Sequence, residues 1–245
     1  MLATVLLSAS ACASEFAAVT PYRPSVSSPA QLPTAGQLEL ELGGLASWQD
    51  DGRRASLPYT LKLAFDPEWG LVVGGEGWLT APTPDGRRRG VGDTQLVLKR
   101  AMVLDEDTAL GLELGSKLPS ARKGLGSGRA DYSLNGIVSR ELGALHLDAN
   151  LNLTRIGAIA ADSGRTQLGL SASLSTALED GWGLTGEWAG NGRRGAGRNS
   201  QLLLALSYSP SKLLTLDVGL AHGLSADTPR WSLFSGAVLP LARLW

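Results

Sequence analysis

From Gln37 to the C-terminus the chain repeats one pattern: apolar residues fall on every second position, and the positions between them are polar or small. Leu38, Leu40 and Leu42 alternate with Glu39 and Glu41, and Leu57, Tyr59, Leu61, Leu63 and Phe65 alternate with Thr60 and Lys62. Successive side chains of a strand point to opposite faces, so period 2 predicts strands with two unlike faces. The reading recurs at 69–80, 93–101, 108–117, 130–140, 144–154, 166–176, 181–190, 200–209, 213–222 and 230–238. With the first two this makes about twelve strands, most near the roughly 9 to 11 residues that a tilted strand needs to cross a bilayer.

The connections alternate in length. DPEWG (66–70), VLDEDT (103–108), RELG (140–143), ALEDG (177–181) and SPSKL (209–213) are short. WQDDGRRA (48–55), APTPDGRRRGVG (81–92), LPSARKGLGSGR (118–129), RIGAIAADSGR (155–165), AGNGRRGAGRN (189–199) and GLSADTP (223–229) are mostly longer. In an up-and-down meander, connections of one parity share one end, so the chain predicts an end with short turns and an end with long loops, as in outer-membrane barrels. The ends also differ in charge. The long loops hold Arg53, Arg54, Arg87, Arg88, Arg89, Arg122, Lys123, Arg193, Arg194 and Arg198, whereas the short turns hold Asp66, Glu68, Asp105, Glu106, Asp107, Glu179 and Asp180. Guanidinium binds phosphate bidentately, so the basic rim is expected to meet lipopolysaccharide; the alternative is that it only keeps glycine-rich loops soluble.

The segment LHLDANLNLT (145–154) poses the question of which face is wet. In a soluble sandwich the leucines would meet a shared core; in a membrane barrel they would meet lipid, with the polar parity facing a lumen. Alternation alone does not choose. An export signal, the alternating loop lengths and an even strand number, which permits closure without an exposed edge, all favour lipid. The fold expected is therefore an all-β, up-and-down antiparallel transmembrane β-barrel. Its lumen would be lined by Glu39, Glu41, Lys62, Glu76, Lys99, Glu113, Lys117, Asp131, Asn135, His146, Asp148, Asn150, Asn152, Glu187 and Asp217. Both signs of charge are present, so the interior is either a lattice of ion pairs or the lining of a narrow pore.

Upstream of the strands, MLATVLLSASACAS ends in the small-x-small pattern of a secretory cleavage site, which predicts a signal peptide over 1–13, although no basic residue precedes its apolar run. Cys12, the one cysteine, would be lost with it, leaving no disulfide or thiolate site. Residues 14–36, with Pro21, Pro24, Pro29 and Pro33 among serines and alanines, read as an extended leader long enough to enter the lumen as a plug; residues 37–245 form the barrel. No apolar run reaches the length of a membrane helix.

Other chemistry is sparse. A net charge of -1 over 245 residues gives no polybasic surface for nucleic acid. His146 and His222 are the only histidines, too few for a multi-histidine metal site, and no cofactor is implied. A serine hydrolase needs a histidine beside its nucleophile, and the same-face neighbours of His146 are Asp148 and Asn150; Ser133 or Ser171 could approach it only from a neighbouring strand. GLGSGR (124–129) leads into a strand rather than a helix, so it lacks the helix N-terminus of a phosphate-binding loop. The chain ends in LPLARLW, an aromatic terminus of the kind read by the barrel assembly machinery, with Arg243 departing from the apolar series of Leu239, Leu241 and Trp245.

Several stretches resemble one family. LPTAGQLELELGG (32–44), GVGDTQLVLKR with LDED (90–107), LELGSKLPS followed by GLGSGRADYSLN (112–135), SRELGALHLDANLNLT (139–154) and LTLDVGLAHGLSADTPRWSL (214–233) are similar to the MetA-pathway of phenol degradation family. The resemblance implies a β-barrel in the outer membrane of a Gram-negative bacterium that takes up small, hydrophobic or aromatic organic compounds and is not an enzyme. Two other readings remain open from the residues: a structural or surface-interaction barrel with a salt-bridge-filled lumen, and an outer-membrane hydrolase.

Overall fold

The computed structural model describes residues 16–50, 52–83 and 85–245. The expected signal peptide and Cys12 lie outside the described residues. Strands form where the period-2 pattern runs: β1 (Gln37–Gln49), β2 (Gly52–Ala64), β3 (Trp69–Thr83), β4 (Gly86–Gly90), β5 (Thr94–Val103), β6 (Thr108–Leu118), β7 (Asp131–Leu142), β8 (Leu145–Arg155), β9 (Thr166–Ala177), β10 (Trp182–Gly192), β11 (Asn199–Ser211), β12 (Leu214–Gly223) and β13 (Trp231–Arg243). Each pairs antiparallel with its neighbours, and β1 pairs with β13 from Gln37↔Arg243 to Trp48↔Trp231. That pairing closes twelve strands into an up-and-down barrel. Closure leaves no strand edge open in the wall, the condition for a sheet to stand in lipid.

The thirteenth strand, β4, lies outside the wall. It pairs with the far end of β3, from Leu79↔Gly90 to Thr83↔Gly86, and extends that strand as a hairpin beyond the barrel. The long loop expected over 81–92 is corrected accordingly: Arg87, Arg88 and Arg89 sit on a strand. The long loop expected over 48–55 is also corrected, since β1 runs to Gln49 and β2 starts at Gly52, the two residues paired, which places Arg53 and Arg54 on β2. In both places the strand outruns its leucines. Past the lipid boundary the outward face no longer has to be apolar, so pairing continues without the alternation that signals it.

Two prolines fall where the ladder is already broken. Pro58 and Pro240 lack an N–H to donate, and each lies at a register shift, in β2 against β3 and in β13 against β1. At the opposite end of the barrel the turns are tight. Between β5 and β6 the Asp107 N–H donates to Asp105 Oδ1 at 3.0 Å, a bond to the ionised form that holds the exposed Asp105 carboxyl below its ordinary range.

The leucines of β8 look outward. Leu145, Leu151 and Leu153 are exposed, while Asp148 and Asn150 between them are buried. All seven tryptophans are exposed and lie toward the two ends of the wall: Trp48, Trp78, Trp188 and Trp231 toward the long-loop end, Trp69, Trp182 and Trp245 toward the short-turn end. Trp69 and Trp78 share β3, and the nine-residue step between them spans roughly 23 Å along the axis of a tilted strand, close to the apolar height of a membrane barrel. Aromatic rings at both rims of an apolar belt mark the two interfaces of a bilayer. The exterior is that of a transmembrane barrel. We expect Leu151→Arg, near mid-strand on this face, to lower folding stability in lipid vesicles by about 2–4 kcal/mol, measured by reversible denaturant titration. An unchanged midpoint would mean that this face does not contact lipid.

Candidate functional site

The lumen is occupied by the chain's own leader. Four prolines and the lack of any period-2 alternation keep residues 16–36 from forming a paired strand, so their backbone N–H groups need other acceptors. The inward side chains of the wall supply them. Ala17 N–H donates to Gln37 Oε1 (2.9 Å), Thr20 N–H to the Glu39 carboxylate (3.1 and 3.2 Å) and Tyr22 N–H to Glu41 Oε1 (2.7 Å), all on β1. The leader then crosses to the opposite wall. Val26 and Ser27 N–H donate to the two oxygens of Glu187 on β10 (2.8 and 2.9 Å), Ser28 N–H to Asn150 on β8 (2.8 Å) and Ala30 N–H to Ser139 on β7 (2.7 Å). It returns along β5, where Lys99 Nζ donates to Pro29 O (2.6 Å), and rejoins the sheet where Gly36 N–H donates to Ala64 O (3.0 Å).

Both limbs of this loop lie at the short-turn end, since Val19 N–H reaches Lys212 O in the β11–β12 turn and Gly36 precedes β1. At its apex Arg23 donates from Nε and Nη2 to both oxygens of Asp217 on β12, at 2.9 Å each. Space for the guanidinium comes from Gly43 and Gly236, which face each other across β1 and β13. A Cβ on Gly43 would lie 2.7 Å from Arg23 Nη1, and one on Gly236 would collide with Nε.

Charged lumen residues are gathered beneath and beside the apex. Lys62 and Lys99 are fully buried. Lys62 Nζ lies 3.0 Å from Glu39 and 2.7 Å from Glu41, and donates as well to Thr20 O; Lys99 Nζ lies 3.2 Å from Glu113. The Tyr22 ring sits between the two ammonium groups, with its centroid 4.3 Å from one and 4.0 Å from the other. Nearer the long-loop end Arg54 bonds Glu76 (2.6 Å), so Arg54 belongs to the interior and not to the outer loops where the sequence placed it. Lys117 bridges Asp93 (3.0 Å) and Asp131 (3.2 Å). Asn135 donates to Glu113 and to Asn150, and Asn152 accepts from Thr154. Arg193, Arg194 and Arg198 lie in or beside the β10–β11 loop.

His146 Nδ1 meets Glu141 Oε1 at 2.5 Å and Nε2 meets Asp148 Oδ1 at 3.2 Å. Ser139 bonds Asp148 rather than the imidazole. With both ring nitrogens against carboxylates, no nitrogen is placed to take a proton from a serine, which is the opposite order to a hydrolytic triad.

Above the leader, toward the long loops, two cavities of 380 Å³ each adjoin at Val26 and Gln201. One is walled by carboxamides, among them Gln95, Asn135, Gln167 and Asn191. The other is walled mainly by apolar groups, Pro24, Leu45, Pro58, Leu203, Ala221 and Phe234. Sequence reasoning did not find the second wall. Leu45 and Leu203 face inward against the rule that leucines face lipid, and Phe234 is a lone aromatic on the inner parity of β13.

No family model matches the chain, and no curated protein matches it. The resemblance to the MetA-pathway family is thus carried by the motifs quoted above alone. Solved structures are similar in fold. The COG4313 outer membrane channel from Pseudomonas putida F1 superposes with a TM-score of 0.64 at 14% identity, covering 91% of this chain and all of that one. The KdgM porin gives 0.60 at 10% identity over 83% and 99% of the two chains, and the CymD monoaromatic hydrocarbon channel 0.52 at 9% over 86% and 90%.

Proposed function

We propose that the protein is an outer-membrane channel for small organic compounds, hydrophobic or aromatic ones among them, held closed by its leader. The observation that carries this reading is how the leader is held. It is bound through its backbone and through Arg23 by inward side chains that do not bond one another across the lumen, so removing it would leave a passage rather than a packed core. The apolar cavity with Phe234 suits the body of a ring, and the adjoining carboxamides suit an uncharged polar substituent. Among proteins of similar fold are a monoaromatic hydrocarbon channel and a porin studied with oligogalacturonate, which agrees with a channel role and leaves the solute to be found by experiment.

A second reading, a structural barrel with a filled lumen, draws on the ion pairs of Lys62, Lys99 and Arg23. Planar-bilayer conductance of the purified protein, with a panel of aromatic and aliphatic solutes, separates the two. A channel is expected to give discrete conductance that aromatic solutes reduce, and Leu203→Asn should weaken that block about tenfold while leaving ion flow unchanged. A folded barrel that stays silent at all voltages, with or without solute, would favour the structural reading.

A further inference from the structure

The β3–β4 hairpin does something to charge that the barrel wall does not. It brings Arg87, Arg88 and Arg89 of β4 together with Arg122 and Lys123 of the β6–β7 loop around a cleft of 500 Å³. Five positive charges converge there, and among the described residues the acid bonded to any of them is Asp85, exposed and 3.4 Å from Arg88. The other bonds hold the cations in place without neutralising them. Arg88 donates to Lys123 O (3.1 Å), Arg122 to Arg89 O (2.7 Å) and Arg87 to Thr80 Oγ1 (3.4 Å). Glycines make room for the stems: a Cβ on Gly90 would lie 2.6 Å from Arg122 Cδ, and one on Gly124 would collide with Arg88. Nearby carboxylates are committed elsewhere, Asp93 to Lys117 and Glu76 to Arg54.

Height decides the partner. Trp78 marks the long-loop interface on the same strand, and Thr80 and Pro82, which pair with Arg89 and Arg87, follow it by two and four residues. The arginines therefore stand roughly 5–10 Å beyond the aromatic rim, the depth of lipid headgroups. We propose that this cleft docks the phosphate groups of lipopolysaccharide in the leaflet around the barrel. Guanidinium forks match phosphate oxygens in pairs, and a divalent anion would relieve the mutual repulsion of five cations that the hairpin holds together. The assignment rests on the outer-membrane location and not on passage of any solute.

The test uses the full chain, purified and incubated with bisphosphorylated lipid A, dephosphorylated lipid A, or inorganic phosphate. Retained lipid is read by native mass spectrometry, and the unfolding midpoint by heat-dependent gel mobility. Bisphosphorylated lipid A should be retained and should raise the midpoint, and the dephosphorylated form should do neither. Retention should fall at least about tenfold in R87Q/R88Q/R89Q and in R122Q/K123Q, and remain in R193Q/R194Q. The loop pair R122Q/K123Q lies outside the strands and keeps the test sound if the β4 variant fails to assemble. Equal retention of dephosphorylated lipid, full retention by R122Q/K123Q, or the same shift from inorganic phosphate alone would overturn the assignment. Failure of the location itself would appear separately, as absence of the protein from the outer-membrane fraction.

Discussion

Lys62→Met should lower the unfolding temperature of the barrel by on the order of 10 °C. The ammonium lies against Glu39 and Glu41, with all three side chains at most 3% exposed, and it also bonds the leader at Thr20 O. Removing one member of a buried pair leaves the partner charge uncompensated, at about 3–5 kcal/mol, and here two carboxylates are left. For a chain of this size each kcal/mol corresponds to roughly 2–4 °C. The measurement is the midpoint of heat-dependent gel mobility. Adding Glu39→Gln and Glu41→Gln to Lys62→Met should restore much of the loss, because the orphaned charges are then gone. A single variant unfolding at the natural temperature would show that water reaches this cluster.

Releasing the apex of the leader should open the channel. Arg23→Ala removes the clamp on Asp217, and Gly236→Leu fills the space of the guanidinium while leaving both ion-pair partners in the sequence. If the pair contributes about 3 kcal/mol to the docked leader, the displaced state rises roughly a hundredfold in either variant. We expect both to show a marked rise in open probability in planar bilayers, and chymotrypsin to cut the leader after Tyr22 in Gly236→Leu but not in the natural protein. Variants with the same open probability and the same protease protection as the natural chain would sink the idea that the apex is what closes the lumen.

Much of the barrel is legible in the sequence, for a physical reason. Lipid on one face and water or charge on the other impose an alternation that no turn or bulge interrupts for long, so Leu145–Arg155 announces both its strand and its outward leucines. What is hidden follows different rules. The hairpin of β3 and β4 lies beyond the lipid, where GRRRG pairs by backbone alone and reads as a loop. Arg54 has the look of a loop arginine, yet the strand carries it inward to Glu76. The tryptophan rims could have been found, since Trp69 and Trp78 stand about one bilayer apart on one strand. The leader's route could not. Its partners on β5, β7, β8, β10 and β12 are set by the closed wall, and nothing in a proline- and serine-rich segment names them.

That route also orders the assembly of the molecule. Arg23 and Asp217 are 194 positions apart, and the leader, made before the barrel, must wait for β12, the last strand but one of the wall. A nascent barrel lacking β12 has nothing to receive the apex, and one already sealed admits it from the short-turn end, where both limbs lie. Docking of the leader is therefore a late, long-range step in folding, and it registers that the wall is complete.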